Sequence, residues 1–217
     1  MNAVRKLQAL LRRHPMALVE AVLHRIPFRP IRAEYFERFE LRGAFPPLAT
    51  ALEVRLADTR DVEPLVRCRG KSSNFESRFA AGEHCVVAIV DGSIAGYEWF
   101  SEKERHVEER FGYAFPIQDD ALYAYDAYTS EAFRGRGVWR QVIAGAAGLL
   151  KARGRTRLLS HVDFGNDTSM TAHVKVGFRP VGRFVFLDVL GWKTLRQLSG
   201  VREGHADDRS ARAPRPG

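Results

Sequence analysis

The stretch ALYAYDAYTSEAFRGRGVWRQVIAGAAGLL, Ala121 to Leu150, carries the reading that decides the fold. Leu122 to Thr129 is strand-like, dense in aromatic and apolar residues. With a period of two, Tyr123 and Tyr125 share one face and Tyr128 falls on the other. From Val138 the apolar residues Val138, Val142, Ile143, Ala146, Leu149 and Leu150 recur at helical spacing, and Gly154 closes the helix. Between the two lies FRGRGVWR. A helix that starts straight out of a turn leaves its first N–H groups unpaired and pointing outward together, with the positive end of the dipole behind them. Gly135 and Gly137 put no side chain in the way, and Arg134 and Arg136 add charge. A pyrophosphate is the natural guest, although the same residues would also serve a plain strand-to-helix turn with solvated arginines.

Working outward, CVVAIVDGSIAGYEWF (Cys85 to Phe100) is a hairpin whose Asp91-Gly92 suits a type I′ turn. Before it, Leu52, Val54 and Leu56 alternate with Glu53 and Arg55 as a strand. Asp61 looks like a helix N-cap with Pro64 in the first turn, where no donor is needed, and Val62, Leu65 and Val66 line its buried face. A shorter helix spans Asn74 to Ala81 and ends at Gly82. A polar insert, Ser101 to Asp120, separates the hairpin from the central strand. After the long helix, RLLSHV is a strand reaching Val162, Asn166 or Asp167 caps a last helix ending at Gly177, and Phe178 to Leu190 reads as two short strands around Gly182.

This order, together with two landmarks, resembles the GNAT superfamily of N-acetyltransferases over Leu52 to Leu190. The first landmark is the acyl-CoA signature R/Q-x-x-G-x-G/A. Here it stands as Arg134-Gly135-Arg136-Gly137-Val138-Trp139, with a large ring in the place of the final small residue. The second is Asn166, then Ser169, then Gly177-Phe178. The resemblance implies an α+β fold: a mixed, mostly antiparallel sheet flanked by helices. It also implies acetyl-CoA as co-substrate and direct attack by an amine in a ternary complex. The strand around Ala127, Tyr128 and Thr129 would splay from Leu158 to His161 and hold the pantetheine arm, with a strand N–H polarising the thioester carbonyl. Trp139 could still donate its amide if its ring turned aside.

An amine arrives mostly as ammonium and must lose a proton. By position Asp126 is the candidate base, and His161 ends the facing strand. Many family members place a Tyr four residues before the Gly-Phe as acid for the leaving thiolate. His173 stands there and could serve through its pKa near 6.5. Asn166 would bond pantetheine or a water. Each also has an ordinary structural reading: a salt-bridged strand residue, hydrogen-bonded histidines, a helix cap. In the insert, Glu102, Glu104, Glu108, Glu109, Asp119 and Asp120 could draw in a cationic acceptor, an amine or amino sugar, and Phe111, Tyr113 and Phe115 could cover it as a lid.

Composition sets the outer limits. The chain has 217 residues, and Lys+Arg 34 against Asp+Glu 26 leaves +8, which favours anionic partners. No nucleic-acid reader motif accompanies that charge, and Arg140 stands where a dinucleotide fingerprint would need its third glycine. No apolar run of about 18 residues occurs. Two cysteines, Cys68 and Cys85, make neither a disulfide framework nor a Cys-rich metal site, and both read as core. No metal is expected and no oligomeric state is implied. Residues 1–50 read as a basic helical extension and connector. Val4 to Ile26 carry apolar positions at helical spacing among Arg5, Lys6, Arg12 and Arg13, which suits packing on the domain or peripheral contact with an anionic membrane. Residues 51–195 form the transferase-like domain, and 196–217 read as a disordered tail. A cytoplasmic protein is expected. The Trp139 departure and the basic extension keep a second reading open: a longer acyl chain from acyl-CoA or an acyl carrier protein, or an aminoacyl donor.

Overall fold

The computed structural model describes residues 31–48, 52–108 and 112–200. The expected helices of Val4 to Ile26, and everything beyond Gly200, lie outside the described residues. The elements in chain order are β1 (Ile31–Arg42), β2 (Glu53–Leu56), α1 (Val62–Arg69), α2 (Phe75–Ala80), β3 (His84–Val90), β4 (Ser93–Ser101), β5 (Arg105–Glu108), β6 (Tyr113–Pro116), β7 (Ala121–Thr129), α3 (Val138–Ala152), β8 (Arg157–Asp163), α4 (Asp167–Val176), β9 (Arg179–Val189) and β10 (Trp192–Gly200). Eight strands make one sheet in the order β10-β9-β1-β8-β7-β4-β3-β2, and β5 and β6 pair separately. Every neighbour pair in the large sheet is antiparallel except β7 with β8, the two strands joined through α3. A parallel pair needs such a crossover.

The β3–β4 hairpin turns at Asp91 and Gly92, both at positive φ (49° and 74°), as a type I′ turn requires. The six apolar positions of α3 are all buried. They pack with Phe39, Leu41, Val86, Phe100, Leu122 and Leu158 into the largest core cluster. Gly96 lets α3 start that close to β4: a Cβ there would meet Val138 Cγ1 at 2.8 Å and the Tyr128 carbonyl at 2.9 Å. On the opposite face α1 and α2 cover Tyr97, Trp99, Val87 and Cys85.

Three readings change. Within the expected connector, Ile31–Arg42 is a twelve-residue strand between β8 and β9. Its acids hid it. Glu34 and Glu37 are buried but paired with Arg32 and Arg183, Glu40 holds Arg157, and a register shift at Arg38/Phe39 breaks the alternation. Phe178 to Leu190 is not broken at Gly182: Arg179–Val189 is one strand. And β10 carries the sheet past residue 195 to Gly200, paired to Gly182, so residues 196–200 belong to the sheet rather than to a tail.

Candidate active site

β7 and β8 pair only from Ala121↔Arg157 to Ala124↔Ser160, yet β7 runs on to Thr129 and β8 to Asp163. The parting has a local cause. On the other edge Tyr125 faces Trp99 and Tyr128 faces Tyr97, so Asp126 and Ala127 together oppose the single residue Glu98. Such a bulge bends its strand and strengthens its twist. Asp126 takes φ +50°, a left-handed conformation that Asp tolerates better than most residues. The extra residue also resets the alternation. Tyr97 and Trp99 share a face, so Tyr128 returns to the side of Tyr125 and lies 6.1 Å from the Tyr97 ring. The expected opposite orientation of Tyr128 fails for this reason. Tyr123 and Tyr125 share a face as expected, and their rings lie 6.1 Å apart at 9° between planes.

Asp126 sits at the parting but is not placed as a base. Oδ1 accepts from Arg69 Nη1 at 2.6 Å and Oδ2 from Arg78 Nη1, with side-chain exposures of 17, 20 and 13%. Arg69 also donates to the Tyr97 hydroxyl. Both carboxylate oxygens are thus spent on guanidinium groups, which pin the bulge to α1 and α2.

The carboxyl that the sequence reading missed is Glu98, opposite the bulge. It is 2% exposed and lines the cavity described below. Its Oε2 accepts from Trp139 Nε1 at 2.9 Å. Burial pushes its pKa up to about 8, against the pull of the Trp139 bond. A lone acid inside the apolar run IAGYEWF was the available signal. This contact also explains the residue that departs from the signature. The Trp139 ring turns inward, 4.7 Å from His173 and 6.2 Å from Phe178, and leaves its backbone amide at the start of α3.

Both candidate histidines reach the cavity, and their hydrogen bonds remove their catalytic assignments. His173 Nδ1 faces the Ser169 carbonyl at 2.8 Å, so Nδ1 carries the proton. Nε2 then accepts from Ser160 Oγ at 3.1 Å. Burial pulls its pKa down to about 4. A neutral imidazole that gives its proton to a carbonyl is no acid for a thiolate at neutral pH. His161 Nε2 accepts from Arg38 Nε at 2.8 Å, which leaves the proton on Nδ1 to donate to the Tyr123 hydroxyl at 3.1 Å. It links two walls rather than offering a base. Cys68 is raised to about 11 by burial and Cys85 is fully buried, as core thiols are.

The glycine-rich turn follows at the far end of β7. Gly135 and Gly137 take φ +77° and +73°, and Gly137 is the N-cap of α3. The first helical bond runs from Gln141 N to Gly137 O, so the amides of Val138, Trp139 and Arg140 are the helix-start donors. Arg134 folds back on the Thr129 carbonyl at 3.3 Å, Arg136 lies over Phe133, and both are exposed. Val138 is buried. Asn166 caps α4 through Oδ1, accepting from Ser169 N at 3.1 Å, and also lines the cavity.

That cavity, about 780 Å³, passes through the parting. On the α3–α4 side lie Glu98, Ser160, Asn166, Ser169 and His173. On the other lie Phe36, Arg78, Tyr123, Tyr125, Asp126 and His161, with Glu83, Lys103, Arg105, His106 and Glu108 at the insert. The expected acidic lure is mostly elsewhere. Glu102 pairs with His84 and Arg153, and Asp120 with Arg157 and Arg42. Of the described insert acids only Glu108 lines the cavity. Glu109 and Phe111, and the Tyr113 side chain, lie outside the described residues. Phe115 is core rather than lid, 5% exposed and edge-on to Tyr123 at 5.0 Å. Among the described residues no cluster of three or more potential ligands could hold a metal ion.

A bulged strand parting from its parallel neighbour, with a glycine-rich helix start at its end, defines the acyl-CoA-dependent transferase class of architecture. The sequence profile of the acetyltransferase (GNAT) family matches residues 53–178. The chain belongs to that family. No curated protein sequence matches it. Among solved structures it is similar to a functionally unknown conserved protein from Staphylococcus epidermidis (TM-score 0.52, 11% identity, covering 78% of this chain and 67% of that one). It is also similar to a putative acetyltransferase of the GNAT family from Novosphingobium aromaticivorans (TM-score 0.51, 17% identity, 77% and 66%). The chain thus spans about two thirds of the length of each. An aminoglycoside N-acetyltransferase in complex with CoA aligns with TM-score 0.49, 20% identity, and 58% and 91% coverage.

Proposed function

We propose that the protein moves an acetyl group from acetyl-CoA to the amine of a small molecule by direct attack, both substrates being bound together. The observation that carries this reading is the passage through the sheet. It leads from the β7 edge at Asp126 and Ala127 to the buried carboxyl of Glu98, and on to the insert on the opposite face, where a second substrate can enter. The turn Arg134 to Trp139 would hold the pyrophosphate. The edge of β7 from Tyr125 to Thr129 has no paired strand on the β8 side, so Ala127, Tyr128 and Thr129 can offer backbone groups to pantetheine and an N–H to the thioester oxygen.

Glu98 replaces Asp126 as the proton acceptor. With a pKa near 8 it is an acid strong enough to be ionised beside a bound ammonium, and a base strong enough to take its proton. The amine nitrogen then bonds to the acetyl carbon and the C–S bond breaks. One ammonium proton goes to Glu98 and leaves to solvent. A second goes from nitrogen to the departing sulfur, and the third stays on the amide. Trp139 lends no support to a longer acyl donor, because its ring packs inward against the core and His173.

The test is thiol release from acetyl-CoA with a panel of amines and amino sugars, in wild type and Glu98→Gln. Turnover is expected to fall by about 10²–10⁴-fold in the variant with acetyl-CoA affinity unchanged by calorimetry. Full activity in Glu98→Gln would remove the carboxyl from the mechanism, and no release with any amine would remove the reaction.

A further inference from the structure

Three histidines line the cavity, and they differ in one respect. His173 and His161 are each held at both nitrogens, and each has a hydroxyl among its partners. His106, in β5, has none. It is 6% exposed, and its ring lies 4.5 Å from Tyr123, 4.5 Å from Tyr125 and 5.5 Å from Phe115. No hydrogen bond satisfies it among the described residues. It lines the cavity, so its nitrogens are available to a bound molecule. Burial, with Arg78 and Lys103 nearby, pulls its pKa down to about 4, so at neutral pH it offers one donor and one acceptor.

A second orphan stands on the same side of the cavity. Glu83 has a side chain 8% exposed. Its Oε1 takes Lys103 at 2.6 Å and Ser101 Oγ at 3.3 Å. Its Oε2 is buried without a partner among the described residues. The cavity wall is also aromatic, with Tyr123 and Tyr125 beside His106, and Phe36.

We propose that the β5–β6 hairpin completes an acceptor subsite in which His106 and Glu83 bind hydroxyl groups of a polyhydroxylated amine, an amino sugar, whose amine is directed to Glu98. A neutral imidazole is matched by a group that both donates and accepts, which a hydroxyl does and an alkyl chain does not. The carboxylate oxygen calls for a donor. The aromatic wall takes the apolar face of a ring. A site built to bond a hydroxyl discriminates strongly against the analogue lacking it, because its own polar groups are then left unpaired.

This rests on the amine-acceptor reading, so the probes separate the two. Acetyl-CoA-dependent thiol release is measured with D-glucosamine and with cyclohexylamine, and the ratio of their kcat/KM values is compared across wild type, His106→Phe and His106→Gln. Comparing ratios cancels the different basicities of the two amines. His106→Phe keeps the ring stack and removes both nitrogens; the ratio should fall about ten- to hundredfold, mainly through KM for D-glucosamine. His106→Gln keeps a donor and an acceptor and should restore most of the ratio. Calorimetric acetyl-CoA binding confirms that each variant is folded. A ratio unchanged in His106→Phe overturns the subsite and leaves amine acetylation standing. If that variant does not fold, a ratio lost in folded His106→Gln while the wild type prefers cyclohexylamine does the same. Thiol release with neither amine, in wild type that binds acetyl-CoA, overturns the amine reading and this subsite with it.

Discussion

β7 is one strand with two characters. From Ala121 to Ala124 it is paired with β8, is joined by β4 from Tyr123 on, and is wholly buried; from Tyr125 to Thr129 the β4 ladder continues while the ladder to β8 has ended, and its side chains are partly or fully exposed. The first half is ordinary sheet interior, held by burial. The second is held by charge, through Arg69 and Arg78 on Asp126, and bordered by a carboxyl kept in the core by an indole N–H. A fold can therefore open a slot in its own sheet without loosening it, provided something other than ladder hydrogen bonds fixes the opened edge.

The largest expected effect breaks the opened half at its end. Gly137→Asp puts a carboxylate where a phosphate belongs and a side chain at φ +73°. Acetyl-CoA affinity should drop by a hundredfold or more in calorimetry, while far-ultraviolet dichroism stays native. Retained affinity would mean that the helix start does not hold the nucleotide.

A smaller effect tests the charge that fixes the edge. Asp126→Asn leaves two arginines, each largely buried, without their counter-ion. Removing one partner of a fully buried pair costs about 3–5 kcal/mol. With these groups still partly in contact with water, roughly 2–3 kcal/mol is expected in urea unfolding. The paired half, which owes nothing to Asp126, should keep its amide protection in hydrogen exchange while Tyr125 to Thr129 loses it.

The smallest effect sharpens the contrast through pH. Glu98 has a folded pKa raised to about 8 from 4.5. Between those values the folded state holds more protons than the unfolded one, so its contribution to stability is present at low pH and is lost as pH rises towards 8. His106 and His173, lowered from 6.5 to about 4, act in the opposite sense, but only below pH 6.5. From pH 6.5 to 8 the Glu98 slope stands apart. The melting temperature should decline by a few degrees across that window in wild type, and the decline should flatten in Glu98→Gln. A parallel decline in both proteins would place the titration elsewhere.

Much of this was legible in the residues. Gly135, Gly137 and the α3 periodicity give the turn and its helix because they are local rules of backbone and burial. The Asp91-Gly92 turn belongs to the same kind. The bulge was not legible, since no residue type marks an insertion of one, and its absence from the reading sent Tyr128 to the wrong face. Asp126 was seen as important from its place in the strand. Its role depends on Arg69 and Arg78, which come from two helices far earlier in the chain. Glu98 was passed over because an acid in a strand is usually at the surface, and only the arrival of Trp139 from α3 makes it a tolerable core residue. His106 lay in a segment that read as a solvated loop.

The position of β1 has a consequence for how the chain comes together. It is made early, yet both its partners are made late: Arg42 pairs with Arg157 and Ile31 with Val189. Until β8 emerges from the ribosome, this strand, with its buried aromatic face, has no edge to join. Until β1 is seated, the β9–β10 hairpin has no place in the sheet. Such non-local closure is slow for its size, on the order of milliseconds to seconds, and it exposes an unpaired, aggregation-prone strand meanwhile. Two of the acids that hid β1 from the sequence reading, Glu37 and Glu40, are well suited to that interval: they would keep a waiting strand soluble before Arg183 and Arg157 arrive to neutralise them.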